Sequence, residues 1–126
     1  MSAYRTRGKV SEFLTKNQSI KKIYNNDRDA IVVTDKKSTV EFINPEFTRL
    51  FGYTSREAIG KSVNDLIVHE TSHVDLRKSR TAYQDERKNI KSIKSGRKIS
   101  VFNRLIPIME GNETIGGFAY YRGADK

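Results

Sequence analysis

A chain of 126 residues carrying 24 Lys and Arg against 15 Asp and Glu is one domain's worth of polypeptide, basic overall at +9. The lack of cysteine excludes disulfides, thiolate metal sites, cysteine nucleophiles and thiol-linked cofactors. No apolar run approaches the roughly 18 residues of a membrane span, and Met1-Ser2-Ala3-Tyr4-Arg5 lacks the apolar stretch of a secretory signal, so a cytoplasmic setting is expected. Leu, Ile, Val and Phe account for 31 of the 126 residues, enough for a core despite 31% charged residues.

The charge is uneven. Residues 27–76 hold nine acidic and six basic groups, whereas residues 77–104 hold ten basic and two acidic groups. Such a basic block fits either a nucleic-acid footprint or a solvated face that meets an acidic neighbour. No aromatic residue interrupts Arg87-Lys88-Asn89-Ile90-Lys91-Ser92-Ile93-Lys94, so no base-stacking platform shows there. The acidic neighbour is the favoured reading, and a basic nucleic-acid-binding domain stands as the alternative.

After a polar tail, Val10, Phe13, Leu14, Ile20, Ile23 and Tyr24 recur at helical spacing and predict a helix over about 10–25. Ala30–Asp35 is a β-branched run, Lys36-Lys37-Ser38 is turn chemistry, and Thr39–Ile43 is a second strand, together a hairpin. Asn44-Pro45 reads as an N-cap with proline at the first helical position, opening a helix that shows Phe47, Leu50 and Phe51 on one face and stops at Gly52. Thr54-Ser55-Arg56-Glu57 is a capping box for a short helix ended by Gly60. Asp65-Leu66-Ile67-Val68 is expected to begin a helical stretch, and Val74 to Tyr83 a further one. Strands follow at Asn89–Lys94, Arg97–Met109 and Thr114–Arg122, turning at Ser95-Gly96 and Glu110-Gly111-Asn112. The pattern predicts an α+β fold, a five-stranded antiparallel sheet with helices on one face and an N-terminal flanking helix.

These residues carry a resemblance to the PAS domain over roughly residues 28–122. They are Asp29–Asp35, Val40-Glu41-Phe42-Ile43-Asn44-Pro45, Phe47, Leu50-Phe51-Gly52-Tyr53, Glu57, Ile59-Gly60-Lys61 and Asp65-Leu66, with a looser match at Ser95-Gly96, Ile106-Pro107-Ile108 and Ile115-Gly116-Gly117-Phe118. The resemblance divides the chain into a tail and flanking helix (1–27), the domain (28–122) and a short tail (123–126). It implies a sensory or interaction module of a larger signalling protein, such as a histidine kinase, a cyclic-dinucleotide enzyme or a chemoreceptor. The module binds a small ligand or protein partner, relays through flanking helices and has no catalysis of its own. Many members end in an Asp-x-Thr motif, and this chain ends in Arg122-Gly123-Ala124-Asp125-Lys126 instead. Flavin adduct photochemistry needs a cysteine that the chain lacks.

His69-Glu70-Thr71-Ser72-His73 is a literal H-E-x-x-H, which in zinc hydrolases places two histidine ligands on one helix face with a glutamate that activates water. Thr71 stands where those enzymes are apolar, and no third ligand is apparent, so the expectation is no metal. Heme through His73 is disfavoured by spacing, and Met109 as a second ligand more so. No resident cofactor, heme or flavin is expected, while an unidentified small ligand is left open. The pocket this implies is lined by Phe42, Phe51, Ile67, His73, Leu76, Asn103, Leu105 and Phe118. The apolar stripe of residues 10–25 is expected to pair with a second copy as a homodimer, rather than complete the core.

Overall fold

Strand-forming runs and turn residues alternate so tightly that one sheet organises the described residues. The computed structural model describes residues 10, 22, 23, 25, 26, 28–69 and 86–123. Strands β1 (Ala30–Asp35) and β2 (Val40–Ile43) lead into helix α1 (Pro45–Phe51), helix α2 (Ser55–Ala58) and a 3₁₀ turn (Val63–Asp65). Then come β3 (Ile67–His69), β4 (Glu86–Ser92), β5 (Lys98–Glu110) and β6 (Glu113–Gly123). The strands lie in the order β2-β1-β6-β5-β4-β3 and pair antiparallel throughout.

The sheet therefore has six strands, not the five expected. The additional one is β3, where a helical stretch was predicted. Three residues carry too short a pattern to declare themselves, and the ladder Ile67↔Ser92, Val68↔Lys91, His69↔Ile90 decides their conformation. The Ile93 amide donates to the Leu66 carbonyl at 2.9 Å and seals the joint. The helix predicted from Val74 to Tyr83 lies outside the described residues.

Locally encoded features appear as read. The Asn44 side chain accepts from the Phe47 amide, Pro45 occupies the first turn, and Gly52 ends α1 at φ 89°. The capping box at Thr54 and Glu57 is formed in both directions. The Tyr53 hydroxyl donates to the Leu66 carbonyl at 2.8 Å and accepts from the Lys94 amide at 2.9 Å. Lys94 Nζ reaches the Gly52 carbonyl and both Glu57 carboxylate oxygens at 2.8–3.0 Å, holding that carboxyl below the usual carboxylate range. These contacts clamp α1 and α2 to the β4–β5 turn.

Each face of the sheet carries its own apolar cluster. On the helix side, which we call the inner face, Phe47, Phe51, Val32, Ile43, Ile67, Ile90, Val101 and Tyr121 pack together. On the outer face, Ile31, Val33, Phe42, Ile108 and Ile115 pack with Val10 and Ile23. The predicted flanking helix otherwise lies outside the described residues. At Val10 and Ile23, however, the stripe completes a core on the outer face, against the expectation that it leaves the core alone. Apolar side chains are driven out of water, and at these two positions Ile31, Val33, Phe42, Ile108 and Ile115 take them up.

That cover is close. A Cβ placed on Gly116 would lie 2.2 Å from the Thr34 carbonyl oxygen and 2.7 Å from Val10 Cγ2. Gly116→Ala should therefore cost about 1–3 kcal/mol, as overpacking does elsewhere. Urea denaturation checks this, and an unchanged midpoint would mean that β1 and Val10 do not close on Gly116.

Candidate functional site

Strand alternation aims Ile99, Val101, Asn103 and Leu105 of β5 inward, and Ala119 and Tyr121 of β6 beside them. Asn103 and Tyr121 are direct cross-strand partners. Tyr121 is fully buried, with its ring edge-on to Phe51 at 5.4 Å and stacked on His69 at 6.0 Å and 29°. Its hydroxyl lies 3.5 Å from His69 Nε2, and burial pushes its ionisation well above the ordinary phenol range. The hydroxyl is therefore a neutral hydrogen-bonding group at any working pH. Asn103 is also buried and donates from Nδ2 to the Tyr120 carbonyl at 3.0 Å. The Ser92 hydroxyl donates to the Phe51 carbonyl at 2.9 Å, fixing α1 against this wall. Tyr121, Asn103 and Ser92 are thus polar groups buried in an apolar cluster, each with a hydrogen-bond partner.

Of the expected pocket residues, Phe51, Ile67, Asn103 and Leu105 meet on this inner wall. Phe42 and Phe118 do not. Both lie on the outer face, where Val33 pairs with each, Phe42 on one side and Phe118 on the other. Register shifts between Val33 and Thr34, and between Ile108 and Met109, displace the alternation and turn these rings over. His73 and Leu76 lie outside the described residues. Tyr121 and His69 are wall residues that the sequence reading missed. Tyr121 would emerge from counting back along the β5–β6 hairpin, once the extra residue is allowed for.

His69 belongs to a strand, so the H-E-x-x-H segment does not begin on the helix face that the zinc arrangement needs. Its other four residues are outside the described region. Among the described residues, no three His, Asp or Glu side chains converge as a metal site, and no helix is long and apolar enough to cross a membrane.

The outer face beyond Val10 and Ile23 has a different chemistry. Phe102 of β5 is 42% exposed and stands opposite Arg122, while Arg104 stands opposite Tyr120. Arg122 grips Asp29 through Nε at 2.8 Å and through its second nitrogen at 3.4 Å. Asp29, Phe102, Arg104, Tyr120 and Arg122 line a shallow pocket of about 60 Å³.

Comparison with known proteins places this architecture. The PAS fold family model matches residues 18–119. No curated protein matches the chain. Among solved structures, a PAS domain from Colwellia psychrerythraea is 23% identical with a TM-score of 0.67, covering 86% of this chain and 96% of that one. The PAS domain of nitrogen regulation protein NR(II) from Vibrio parahaemolyticus is 17% identical with a TM-score of 0.65, covering 81% and 94%. A PAS domain from a two-component sensor histidine kinase is 18% identical with a TM-score of 0.67, covering 89% and 98%.

Proposed function

This chain belongs to the PAS family, and from that premise we propose that it is a cytoplasmic ligand-sensing module without catalysis of its own, serving a larger signalling protein. The observation that carries this reading is the inner wall, where Tyr121, His69 and Asn103 set polar atoms among the rings of Phe51 and Tyr121. A flat organic molecule that stacks on a ring and exchanges a hydrogen bond with an amide or phenol would enter by displacing part of the packing around Phe51 and Tyr121, which are buried in the free chain. Solved relatives described as domains of a nitrogen regulation protein and of a sensor histidine kinase fit the same use.

Relay to an output domain would use the two chain ends of the sheet. The entering segment is tied by Asn44, whose Nδ2 contacts the carbonyls of Ile23, Asn26 and Asp29 at 2.9–3.2 Å. The leaving strand is tied to that entry by the Asp29–Arg122 ion pair. A ligand that shifts Tyr121 thus acts one residue from the joint between the two ends. Self-association through the remaining positions of the 10–25 stripe would carry the relay between copies.

Methyl NMR of the full chain against heteroaromatic fragments tests the reading. Binding fragments should shift the methyls of Ile67, Ile90 and Leu105, and Tyr121→Phe should weaken them up to roughly tenfold, the worth of one hydrogen bond. Shifts confined to Ile108 and Ile115 on the outer face would defeat it.

A further inference from the structure

The basic block of residues 77–104 gains its meaning from what the sheet sets beside it. On β4, Ile90 and Ser92 point inward, so Asn89 and Lys91 point out. Lys91 is directly opposite Lys98, and Asn89 is opposite Ser100. Two rows further along, Phe102 faces Arg122, and Arg104 faces Tyr120. Among the described side chains, Lys91, Lys98, Arg104 and Arg122 thus share one side of the sheet with the rings of Phe102 and Tyr120, where Asp29 is ion-paired with Arg122. An exposed phenyl ring gains nothing from water. A ligand that carries negative charge beside a flat apolar face would meet the cations and the ring together.

We propose that this outer patch binds single-stranded nucleic acid, with Lys91, Lys98 and Arg104 on the phosphates and Phe102 as the stacking platform for a base. Phosphodiesters supply the negative charge and bases supply the planar faces, which Phe102, Tyr120 and the guanidinium planes of Arg104 and Arg122 match. A second copy docked two-fold on the same patch would set positive charge on positive charge. An acidic peptide would satisfy the lysines and leave the ring and guanidinium faces without a planar partner. A duplex buries its bases and offers nothing to Phe102. The patch is separate from the inner wall, so it stands or falls independently of ligand sensing.

Fluorescence anisotropy of the full chain with labelled single strands of about 12 nucleotides, one RNA and one DNA, tests it. Binding of either strand, weakening roughly 20- to 50-fold between about 50 and 200 mM salt, is expected for three or four phosphate contacts. Phe102→Ala should weaken binding roughly tenfold without changing the salt slope, and Phe102→Leu, which keeps the apolar bulk, should do the same. Lys91→Glu with Lys98→Glu should lower both the affinity and the slope. Lys37→Glu, in the β1–β2 turn, is the charge control and should change little. The proposal is overturned if no strand binds, or if poly-glutamate or a duplex binds as tightly as the single strands. It is equally overturned if Phe102→Leu binds as the parent does, or if Lys37→Glu weakens binding as much as the paired lysine change.

Discussion

Asn44→Ala should lower stability by about 3–5 kcal/mol, because one buried amide serves five backbone groups. Asn44 is 1% exposed. Its oxygen accepts from the Ile31 and Phe47 amides at 2.8 and 3.0 Å, joining β1 to the start of α1. Its nitrogen donates to the Ile23, Asn26 and Asp29 carbonyls, joining both to the entering segment. Losing the cap alone costs about 1 kcal/mol, and each buried backbone group left without a partner adds roughly 1–3 kcal/mol. Asn44→Asp separates the two halves of the role. It keeps the cap acceptor but faces three carbonyls with a carboxylate, whose folded-state ionisation must lie above its unfolded value. More protons are then bound when folded, so the variant should gain stability as pH falls and lose it as pH rises. Urea denaturation across pH reads both effects, and a loss under 1 kcal/mol for Asn44→Ala would mean the entering segment is not held there.

Phe51→Ala should cost about 3–5 kcal/mol, the range for a buried aromatic replaced by alanine. Phe51 is 2% exposed, and its ring lies 4.9 Å from Phe47 and 5.4 Å from Tyr121. The cavity forms where α1 leans on β6, and neither element can close it. Gly52 fixes the end of the helix, and the Ser92 hydroxyl holds the Phe51 carbonyl. Against a domain stability of roughly 5–15 kcal/mol this is a large part of the whole. Phe51→Leu, which refills most of the space, should restore much of it. An unchanged melting temperature for Phe51→Ala would remove Phe51 from the core.

What was legible in the sequence was local. Asn44-Pro45, Gly52 and the Thr54–Glu57 box each act within one helical turn, so residue type alone places them. What escaped depended on register. Counted from the Glu110↔Glu113 turn without a shift, Leu105 would face Phe118 and Asn103 would face Tyr120. One extra residue near Ile115 pairs them instead with Ala119 and Tyr121, sends Phe118 outward and brings Tyr121 in. The same kind of shift in the β1–β2 hairpin turns Phe42 away from Val40. A third feature hidden by linear reading is the neighbourhood of Lys91 and Lys98. No aromatic lies near Lys91 along the chain, yet strand pairing puts Phe102 on the same side of the sheet.

If a small organic molecule is sensed at the inner wall, native mass spectrometry of the full chain, set beside its denatured mass, reads it out. The native mass should exceed the chain's by one small molecule. That excess should disappear when Asn103→Leu and Tyr121→Phe are combined in a folded variant, and persist in Phe102→Ala. Equal native and denatured masses would contradict it, as would an excess that survives the inner substitutions and is lost with Phe102→Ala.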